Sequence, residues 1–248
     1  MNRGSSRGVV ITGGGSGIGL AAAKKFLEAG DRVVISGRGG PRLKAAVETL
    51  SMIQESKGRI WAVQADLATQ NGAEALASQA ISHLGTIDIL VNNAGLNLKE
   101  RSVAELSTER WRAVLGGNLD SAFLTTQAFL PSFRVQKEGL IVYINSIAGI
   151  RGNPLGGAAY VAAKFALRGW AVALAAEEKA NGLRVTTIFP GEVNTPILEA
   201  RPNPVSEEHK IAILQPEDVA SAIYFVGSLP KRALIPELII SPSHYTYI

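Results

Sequence analysis

The chain has 248 residues, of which 46% are hydrophobic and 19% are charged, and its formal net charge is +4. This composition supplies a large core and argues against disorder. Its basic residues are scattered among acidic ones, so no nucleic-acid surface is predicted. The absence of cysteine excludes disulfides and thiolate chemistry, and the three histidines lie far apart, so no metal site is predicted.

The ends and apolar runs of the chain bear on its location. Residues 1–12 contain only a short apolar run, Val9–Ile11, which is far below the apolar region of a signal peptide. No stretch approaches the ~18 consecutive apolar residues of a membrane helix. We therefore expect a cytoplasmic protein without a membrane partner.

Short β-branched runs alternate with longer segments of helical periodicity. In chain order, the predicted strands are Val9–Thr12, Arg32–Ser36, Arg59–Gln64, Ile87–Asn92, Leu140–Asn145, Leu183–Phe189 and Glu237–Ser241. The predicted helices between them are Leu20–Ala29, Leu43–Glu55, Ala73–Leu84, Thr108–Gln136, Ala159–Ala180 and Pro216–Val226. This alternation predicts parallel strands with right-handed crossovers, and the continuously apolar strands predict helices on both faces of the sheet.

These elements predict an α/β fold with a doubly wound, seven-stranded, mainly parallel sheet. Because no polar linker or internal repeat divides the chain, residues 1–248 are predicted to form a single domain. Two long segments rich in Gly and Pro, 147–157 and 190–215, follow the fifth and sixth predicted strands. Ligands in such sheets bind outside the carboxyl ends of the strands, so both segments are predicted to line a substrate pocket.

A glycine-rich segment joins the first predicted strand to the first predicted helix and reads T-G-G-G-S-G-I-G over residues 12–19. Glycines allow the backbone to approach a pyrophosphate closely, and a helix N-terminus offers free N–H groups to it. A P-loop is excluded because Leu20 and Ala21 stand where Lys and Ser or Thr are required. By itself the segment is compatible with a tight turn or with a dinucleotide-binding loop.

The spacing of Gly13, Gly17 and Gly19 resembles the T-G-x-x-x-G-x-G motif of the short-chain dehydrogenases/reductases. Three further segments occur in that family's order: Asp66-Leu67 resembles its adenine-contacting pair, N-N-A-G at residues 92–95 resembles its sheet-bracing element, and P-G…T at residues 190–195 resembles its nicotinamide-contacting segment. The resemblance implies a Rossmann fold with these cofactor-binding residues: Gly13, Gly15, Ser16, Gly17, Ile18, Gly19, Arg38, Asp66, Leu67, Asn93, Ala94, Gly95, Tyr160, Lys164, Pro190, Gly191, Val193 and Thr195.

Four polar residues form the predicted catalytic set. Tyr160 and Lys164 are four apart in a helical segment and therefore share one face. Ser146 and Asn118 lie in segments that resemble the family's serine and asparagine motifs. Tyr160 would act as the proton donor to a carbonyl oxygen, and the ammonium of Lys164 would lower its pKa. The resemblance implies that Lys164 also binds the nicotinamide ribose, that Ser146 binds the substrate oxygen and that Asn118 holds a water relay.

The end of the second predicted strand bears on cofactor choice. NAD-binding folds carry an acid there for the ribose 2′-hydroxyl, whereas this chain has Gly37 followed by Arg38. A guanidinium can bind a 2′-phosphate through paired hydrogen bonds, and Arg42 lies close enough in sequence to assist. We therefore expect NADP to be preferred. NAD stays open because many NADP-preferring relatives carry a basic residue where this chain has Ser16.

The expected function is hydride transfer between NADP(H) and a small-molecule carbonyl or secondary alcohol of the 3-oxoacyl, 3-hydroxy acid or ketone type. A hydrolase is disfavoured because there is no G-x-S-x-G motif and no histidine near Ser146. A Rossmann-type sensor that binds NADP without turnover is the alternative from another class. The complete set of Ser146, Tyr160 and Lys164 weighs against it.

The substrate pocket is predicted to combine apolar residues with cations. The apolar candidates are Ile147, Ile150, Leu155, Val193, Ile197 and Leu198, and the cations that could meet an acid are Lys99, Arg151 and Arg201. Family members commonly associate through two long helices, which correspond here to Thr108–Gln136 and Ala159–Ala180. The resemblance therefore implies a homodimer or homotetramer.

Overall fold

Seven strands form the central sheet of the structure, a computed structural model that describes residues 6–245. They are β1 (Gly8–Thr12), β2 (Arg32–Gly37), β3 (Ile60–Gln64), β4 (Ile89–Asn92), β5 (Gly139–Ile144), β6 (Leu183–Pro190) and β7 (Glu237–Ile240). Their order in the sheet is β3-β2-β1-β4-β5-β6-β7, and every neighbouring pair is parallel. The predicted doubly wound sheet is confirmed.

The α-helices of the described residues cover both faces of this sheet. They are α1 (Gly17–Glu28), α2 (Gly40–Ser51), α3 (Gln70–Leu84), α4 (Thr108–Leu115), α5 (Ser121–Gln136), α6 (Ala158–Glu178), α7 (Glu207–Ala212) and α8 (Pro216–Gly227). Short 3₁₀ turns occupy Gln54–Ser56, Ile147–Gly149, Lys179–Asn181 and Pro196–Ala200. The first two helices begin three residues earlier than predicted, because their glycines belong to the first helical turn.

The single helix predicted over Thr108–Gln136 is wrong at its centre. A π-helical turn, Gly116–Asp120, separates α4 from α5, and the N–H of Ser121 donates to the carbonyl of Gly116 five residues earlier. The Asn118 side-chain Nδ2 donates to the Val114 carbonyl at 2.8 Å, an acceptor that α-helical geometry would assign to the Asn118 backbone N–H. Helical periodicity does not reveal one extra residue in a turn.

The segment 190–215 is more ordered than its composition predicted. It contains the 3₁₀ turn Pro196–Ala200 and the short helix α7. The Ser206 hydroxyl caps α7 by accepting a hydrogen bond from the His209 N–H at 3.2 Å. The first part of this segment follows β6 directly and covers the carboxyl edge of the sheet.

Two apolar layers hold the sheet between its helices. In β1, Val9 and Ile11 pack on the side of α1, α2 and α8, while Val10 packs on the side of α3, α5 and α6. This alternation follows from the two-residue period of a strand. Phe26 of α1 and Phe129 of α5 are fully buried in the opposite layers. Burial of each such side chain contributes ~1.5–3 kcal/mol, so the two layers fix the positions of the loops that follow the strands.

Helix α6, together with its continuation to Asn181, is long and apolar enough by length and composition to cross a membrane, with a mean hydropathy of 1.2. Leu167, Ala171 and Leu174 are buried against the sheet. The same helix carries Tyr160 and Lys164 at the carboxyl edge of the sheet. We therefore assign α6 to the fold of the domain.

The strand order reverses between β1 and β4. The chain leaves β1 toward β2 on one side and leaves β4 toward β5 on the other, so the loops after β1 and β4 diverge and a crevice opens between them. The glycine-rich segment follows β1, and Asn93 follows β4.

Candidate active site

One cleft of about 1180 Å³ extends across the carboxyl edge of the sheet. It brings together the predicted catalytic and cofactor-binding residues with a single exception, Gly19. The predicted residues that line it are Gly13, Gly15, Ser16, Gly17, Ile18, Arg38, Asp66, Leu67, Asn93, Ala94, Gly95, Asn118, Ser146, Tyr160, Lys164, Pro190, Gly191, Val193 and Thr195.

The glycine-rich segment forms one wall, and its glycines serve different purposes. Gly13 and Gly17 adopt positive φ angles of 65° and 51°, which side chains disfavour. A Cβ atom on Gly19 would lie 2.4 Å from the Gly13 carbonyl oxygen and 2.6 Å from Asn93 Nδ2. Gly19 therefore allows the turn to fold on itself behind the cleft. Gly19 does not line the cleft, and its cofactor contact stays a prediction.

The start of α1 presents backbone N–H groups to the cleft. Ser16 is the N-cap residue, but its side chain forms no capping hydrogen bond, and no acidic residue lies in the first turn. Unsatisfied N–H groups and the positive end of a helix dipole attract an anion. This wall therefore fits a pyrophosphate group.

Asn93 and Thr12 tie the ends of β4 and β1 together. The Asn93 side chain donates to the carbonyls of Thr12 at 2.9 Å and Gly13 at 3.2 Å. In return, Thr12 Oγ1 accepts hydrogen bonds from the backbone N–H groups of Asn93 and Ala94, both at 3.0 Å. This reciprocal set holds the glycine-rich turn in register with the loop after β4.

Two guanidinium groups flank the end of β2. Arg38 and Arg42 both line the cleft, are exposed, and form no ion pair within residues 6–245. Arg42 packs against the glycine-rich segment, because a Cβ atom on Gly15 would lie 3.3 Å from its Cγ. Asp66 and Leu67 line the same end of the cleft. These two guanidinium groups could form ion pairs with a doubly charged phosphate ester bound at this end of the cleft.

The π-helical turn places Asn118 beside Lys164. Asn118 Nδ2 donates to the carbonyls of Val114 and Leu96, both at 2.8 Å, which fixes the amide. Its Oδ1 is buried and has no hydrogen-bond partner in the described part of the chain. A buried acceptor of this kind fits a bound water molecule. A Cβ atom on Gly95 would lie 2.9 Å from this Oδ1 and 3.8 Å from Lys164 Nζ, so glycine keeps the space between them open.

Lys164 is 3% exposed, and its Nζ donates to the Ile144 carbonyl at 3.1 Å. Burial lowers the pKa of Lys164 to about 8. Asn145 positions this part of α6, because its Nδ2 donates to the Lys164 carbonyl at 3.0 Å while its Oδ1 accepts from the Ser146 N–H at 2.9 Å. Sequence reasoning missed Asn145. Its place directly before the predicted serine was the available signal.

Tyr160 lies partly exposed in the cleft, with Lys164 Nζ 5.4 Å from the centre of its ring. Burial raises the pKa of Tyr160 to about 12, and a hydrogen bond with Ser146 and the charge of Arg101 offset part of this effect. The sequence predicted a pKa lowered by Lys164. In the protein alone the direction is opposite, because desolvation of the tyrosinate outweighs the favourable interactions.

Arg101, which sequence reasoning also missed, connects three loops around the other end of the cleft. Its guanidinium donates to the carbonyls of Leu98 at 2.6 Å, Leu155 at 2.7 Å and Ala200. It is 9% exposed. Because its partners come from residues 98, 155 and 200, no local sequence pattern points to it.

Glu192 connects the segment 190–215 to the carboxyl-terminal region. One of its carboxylate oxygens lies 2.7 Å from Arg201 Nη2 and 2.7 Å from His209 Nε2, and the other accepts a hydrogen bond from the Tyr245 hydroxyl at 2.6 Å. These interactions lower the pKa of Glu192 and outweigh the effect of burial. The cluster holds the segment against the cleft.

Most of the predicted substrate-pocket residues line the cleft near Ser146 and Tyr160. They are Ile147, Arg151, Leu155, Val193, Ile197, Leu198 and Arg201. Ile150 and Lys99 do not line it. The pocket therefore has an apolar surface and a cationic side.

Comparisons with known proteins show the family of the chain. The family model described as short chain dehydrogenase matches residues 7–205. The chain is 32% identical over 225 residues to a 3-oxoacyl-[acyl-carrier-protein] reductase of Chlamydia trachomatis, covering 88% of this chain and 89% of the relative.

Two solved structures have the same fold over nearly their whole length. An alcohol dehydrogenase from Thermococcus sibiricus, complexed with 5-hydroxy-NADP, gives a TM-score of 0.87 at 25% identity and covers 98% of this chain and 100% of its own. A 3-ketoacyl-(acyl-carrier-protein) reductase from Brucella melitensis, complexed with NADH, gives 0.85 at 27% identity and covers 96% and 97%. The chain belongs to the short-chain dehydrogenase/reductase family, whose NAD(P)-dependent oxidoreductase chemistry the motifs predicted.

Proposed function

We propose that this protein uses NADP(H) to transfer a hydride between the nicotinamide ring and a carbonyl or secondary alcohol of the 3-oxoacyl, 3-hydroxy acid or ketone type. The observation that carries the proposal is the convergence of Ser146, Tyr160 and Lys164 in the cleft that also contains the glycine-rich turn. A sensor without turnover would not require these three catalytic residues, and nothing observed favours that alternative.

Different walls of the cleft would bind different parts of the cofactor. The N–H groups at the start of α1, with Ser16 to Ile18, would hold the pyrophosphate, and Asp66 and Leu67 would contact the adenine. The loop from Asn93 to Gly95 would line the middle of the cofactor. Pro190, Gly191, Val193 and Thr195 would surround the nicotinamide.

The catalytic residues transfer the proton and stabilise the negative charge that develops on the substrate oxygen. When bound, the nicotinamide supplies or accepts the hydride. The Tyr160 hydroxyl donates its proton to the substrate oxygen during reduction, and Ser146 donates a hydrogen bond to the same oxygen. Lys164 would hold the nicotinamide ribose when the cofactor is bound, and its ammonium would favour the tyrosinate left behind. Asn118 Oδ1 accepts a hydrogen bond from a water molecule that returns the proton to Tyr160.

NADP is the proposed cofactor because Arg38 and Arg42 stand at the cleft without a carboxylate partner within residues 6–245. The similar Thermococcus sibiricus enzyme carries an NADP derivative. NAD is the alternative, and the similar Brucella melitensis enzyme carries NADH. The cytoplasm, where both cofactors are regenerated, is the proposed location.

A homodimer or homotetramer is the proposed assembly. Helices α4, α5 and α6 expose large apolar side chains: Trp111 and Phe123 are 37% exposed, Phe165 is 42% exposed and Val172 is 61% exposed. Exposed apolar side chains on neighbouring helices favour association with another subunit. The exposed side of α6 would then be covered by a second copy.

A panel of ketones and 3-oxo esters, assayed for NADPH oxidation, tests the proposed activity. Tyr160→Phe removes the proton donor and keeps the ring, so kcat should fall by at least ~100-fold while the fold and NADPH affinity are retained. Tyr224→Phe, on the opposite side of the protein in α8, serves as the matched control. Turnover of the Tyr160 variant near the wild-type rate would contradict the mechanism.

A further inference from the structure

The substrate end of the cleft contains a buried guanidinium without a carboxylate partner. Arg101 forms no ion pair within residues 6–245, and its three recorded hydrogen bonds go to backbone carbonyls. These carbonyls accept hydrogen bonds from three of the five guanidinium N–H groups. They supply only partial negative charge, so burial of this cation remains costly. Burial and the neighbouring charge of Arg201 both lower the pKa of Arg101.

Arg201 is a second cation at the substrate end of the cleft. Its carboxylate partner, Glu192, also binds other side chains. Arg201 and Glu192 have side chains that are only 17% and 10% exposed. Glu192 also accepts hydrogen bonds from Tyr245 and from the His209 ring. Arg101, Arg201 and Glu192 together carry a net charge of +1 in a largely buried region, so one monovalent anion would balance it. Glu199, which also lines the cleft, is exposed and forms no ion pair in the described chain.

The cationic pair lies close to the reacting groups. The positive charge of Arg101 acts on the Tyr160 hydroxyl, and both residues line one cavity with Ser146. A ligand that reaches both Tyr160 and Arg101 can therefore be short. A planar guanidinium binds a carboxylate through paired, charge-assisted hydrogen bonds.

We propose that Arg101 and Arg201 form an anion subsite for the carboxylate of a short oxo acid or hydroxy acid whose reacting oxygen lies against Tyr160 and Ser146. The inference rests on the proposed oxidoreductase function and names its substrate class. In the reduction, hydride moves from NADPH to the carbonyl carbon, the proton moves from Tyr160 to the oxygen, and the carboxylate is unchanged. The products are NADP⁺ and the hydroxy acid.

Matched acid and ester substrates separate recognition of the anion from the hydride chemistry. We would compare acetoacetate with methyl acetoacetate and pyruvate with methyl pyruvate, measuring kcat/KM for NADPH oxidation. The wild type should prefer the acid by at least ~10-fold in one or both pairs, because the ester lacks the charge that the subsite binds.

Charge variants test which residues create this preference. Arg201→Met should lower the acid-to-ester ratio by at least ~10-fold, whereas Glu192→Gln should raise it, because it removes the competing carboxylate. Arg101→Gln should lower the ratio as well, and where that variant fails to fold, Arg201→Met decides. Arg232→Gln, an exposed arginine away from the cleft, is the matched control and should keep the wild-type ratio.

The outcomes distinguish this inference from the proposed function. Reduction of esters and ketones with no preference for acids would overturn the anion subsite and leave the oxidoreductase proposal standing. Equal shifts in the same direction for Arg201→Met and Glu192→Gln would also overturn it, because loss of loop order acts on both variants alike. If no acid, ester or ketone supports NADPH oxidation, the proposed function fails and the subsite with it.

Discussion

Lys164 is protonated less readily in the folded protein than in the unfolded chain. Its pKa is about 8 in the fold against an ordinary value of 10.5, so folding releases a proton between these pH values. The unfolded state then binds more protons than the native state, and the free energy of unfolding must rise with pH across this window. The charged amine is destabilising below pH 8.

Lys164→Met should remove this pH dependence. The difference in unfolding free energy, wild type minus variant, is expected to increase on the order of 2–3 kcal/mol from pH 8 to pH 10.5. Urea unfolding at several pH values measures it, and taking the difference cancels the titration of the tyrosines. Lys44→Met, an exposed lysine on α2, should give a difference independent of pH. Parallel curves for wild type and Lys164→Met would refute the lowered pKa.

Arg38→Ala tests cofactor selection at the level of one side chain. The wild type should favour NADPH over NADH by at least ~10-fold in kcat/KM, equivalent to ~1.4 kcal/mol, and the variant should lose most of this preference. The reason is the loss of the hydrogen bonds and charge offered to the 2′-phosphate. Lys44→Ala, a cation outside the cleft, should retain the preference. A wild type that uses both cofactors equally would exclude Arg38 as the phosphate-recognition residue.

At the scale of single elements, one carboxylate connects several parts of the segment 190–215. Glu192 binds Arg201 before α7, His209 within α7 and Tyr245 near the carboxyl terminus. Between these contacts, Lys210 precedes Ile211, which is 81% exposed. Exposed backbone held by few contacts opens locally more often than the core.

Trypsin should cut after Lys210 in the protein alone, and NADPH should slow this cleavage several-fold by ordering the segment over the cleft. Glu192→Gln should accelerate it, because the variant weakens the link to the rest of the fold. Cleavage after Lys57, an exposed residue far from the cleft, provides an internal reference in the same digest. Equal rates at Lys210 with and without NADPH would argue against closure of the segment.

The elements of the site were predicted with unequal success. The Tyr160 and Lys164 pair could be predicted because helical spacing places them on one face, and the glycine-rich turn could be predicted from its place between a strand and a helix. The π-helical turn at Asn118 could not, because it depends on side-chain hydrogen bonds to Leu96 and Val114. Arg101 could not either, since its burial results from three loops that meet only in the folded chain.

At the scale of the whole molecule, the strand alternation predicted the sheet correctly because each run was short, apolar and bounded by turn residues. The alternation of strands and helices does not specify how copies of the chain would associate, because association depends on the side chains exposed at the surface. Val172 is 61% exposed on α6, the helix that also carries Tyr160 and Lys164.

Val172→Glu should therefore convert the proposed oligomer to smaller species, because an interface would have to bury the new charge. Light scattering after size-exclusion chromatography measures the mass of each species. Met52→Glu, at a position 85% exposed just after α2 and outside the helices of the proposed interface, is the matched control and should leave the mass unchanged. A wild type that is monomeric at micromolar concentration would contradict the proposed assembly.

The π-helical turn also has a consequence for insertions and deletions in this region. A π turn holds one residue more than an α-helical turn, and this wider turn absorbs the extra residue so that the helices on either side keep their faces. Deletion of Gly117 would remove the extra residue and allow one regular helix to form from Thr108 to Gln136. The wide turn that places the amide of Asn118 beside Lys164 would then be lost. The number of residues in this turn therefore determines whether the asparagine site can form. A one-residue gap at this place in an alignment would identify relatives that lack the asparagine site.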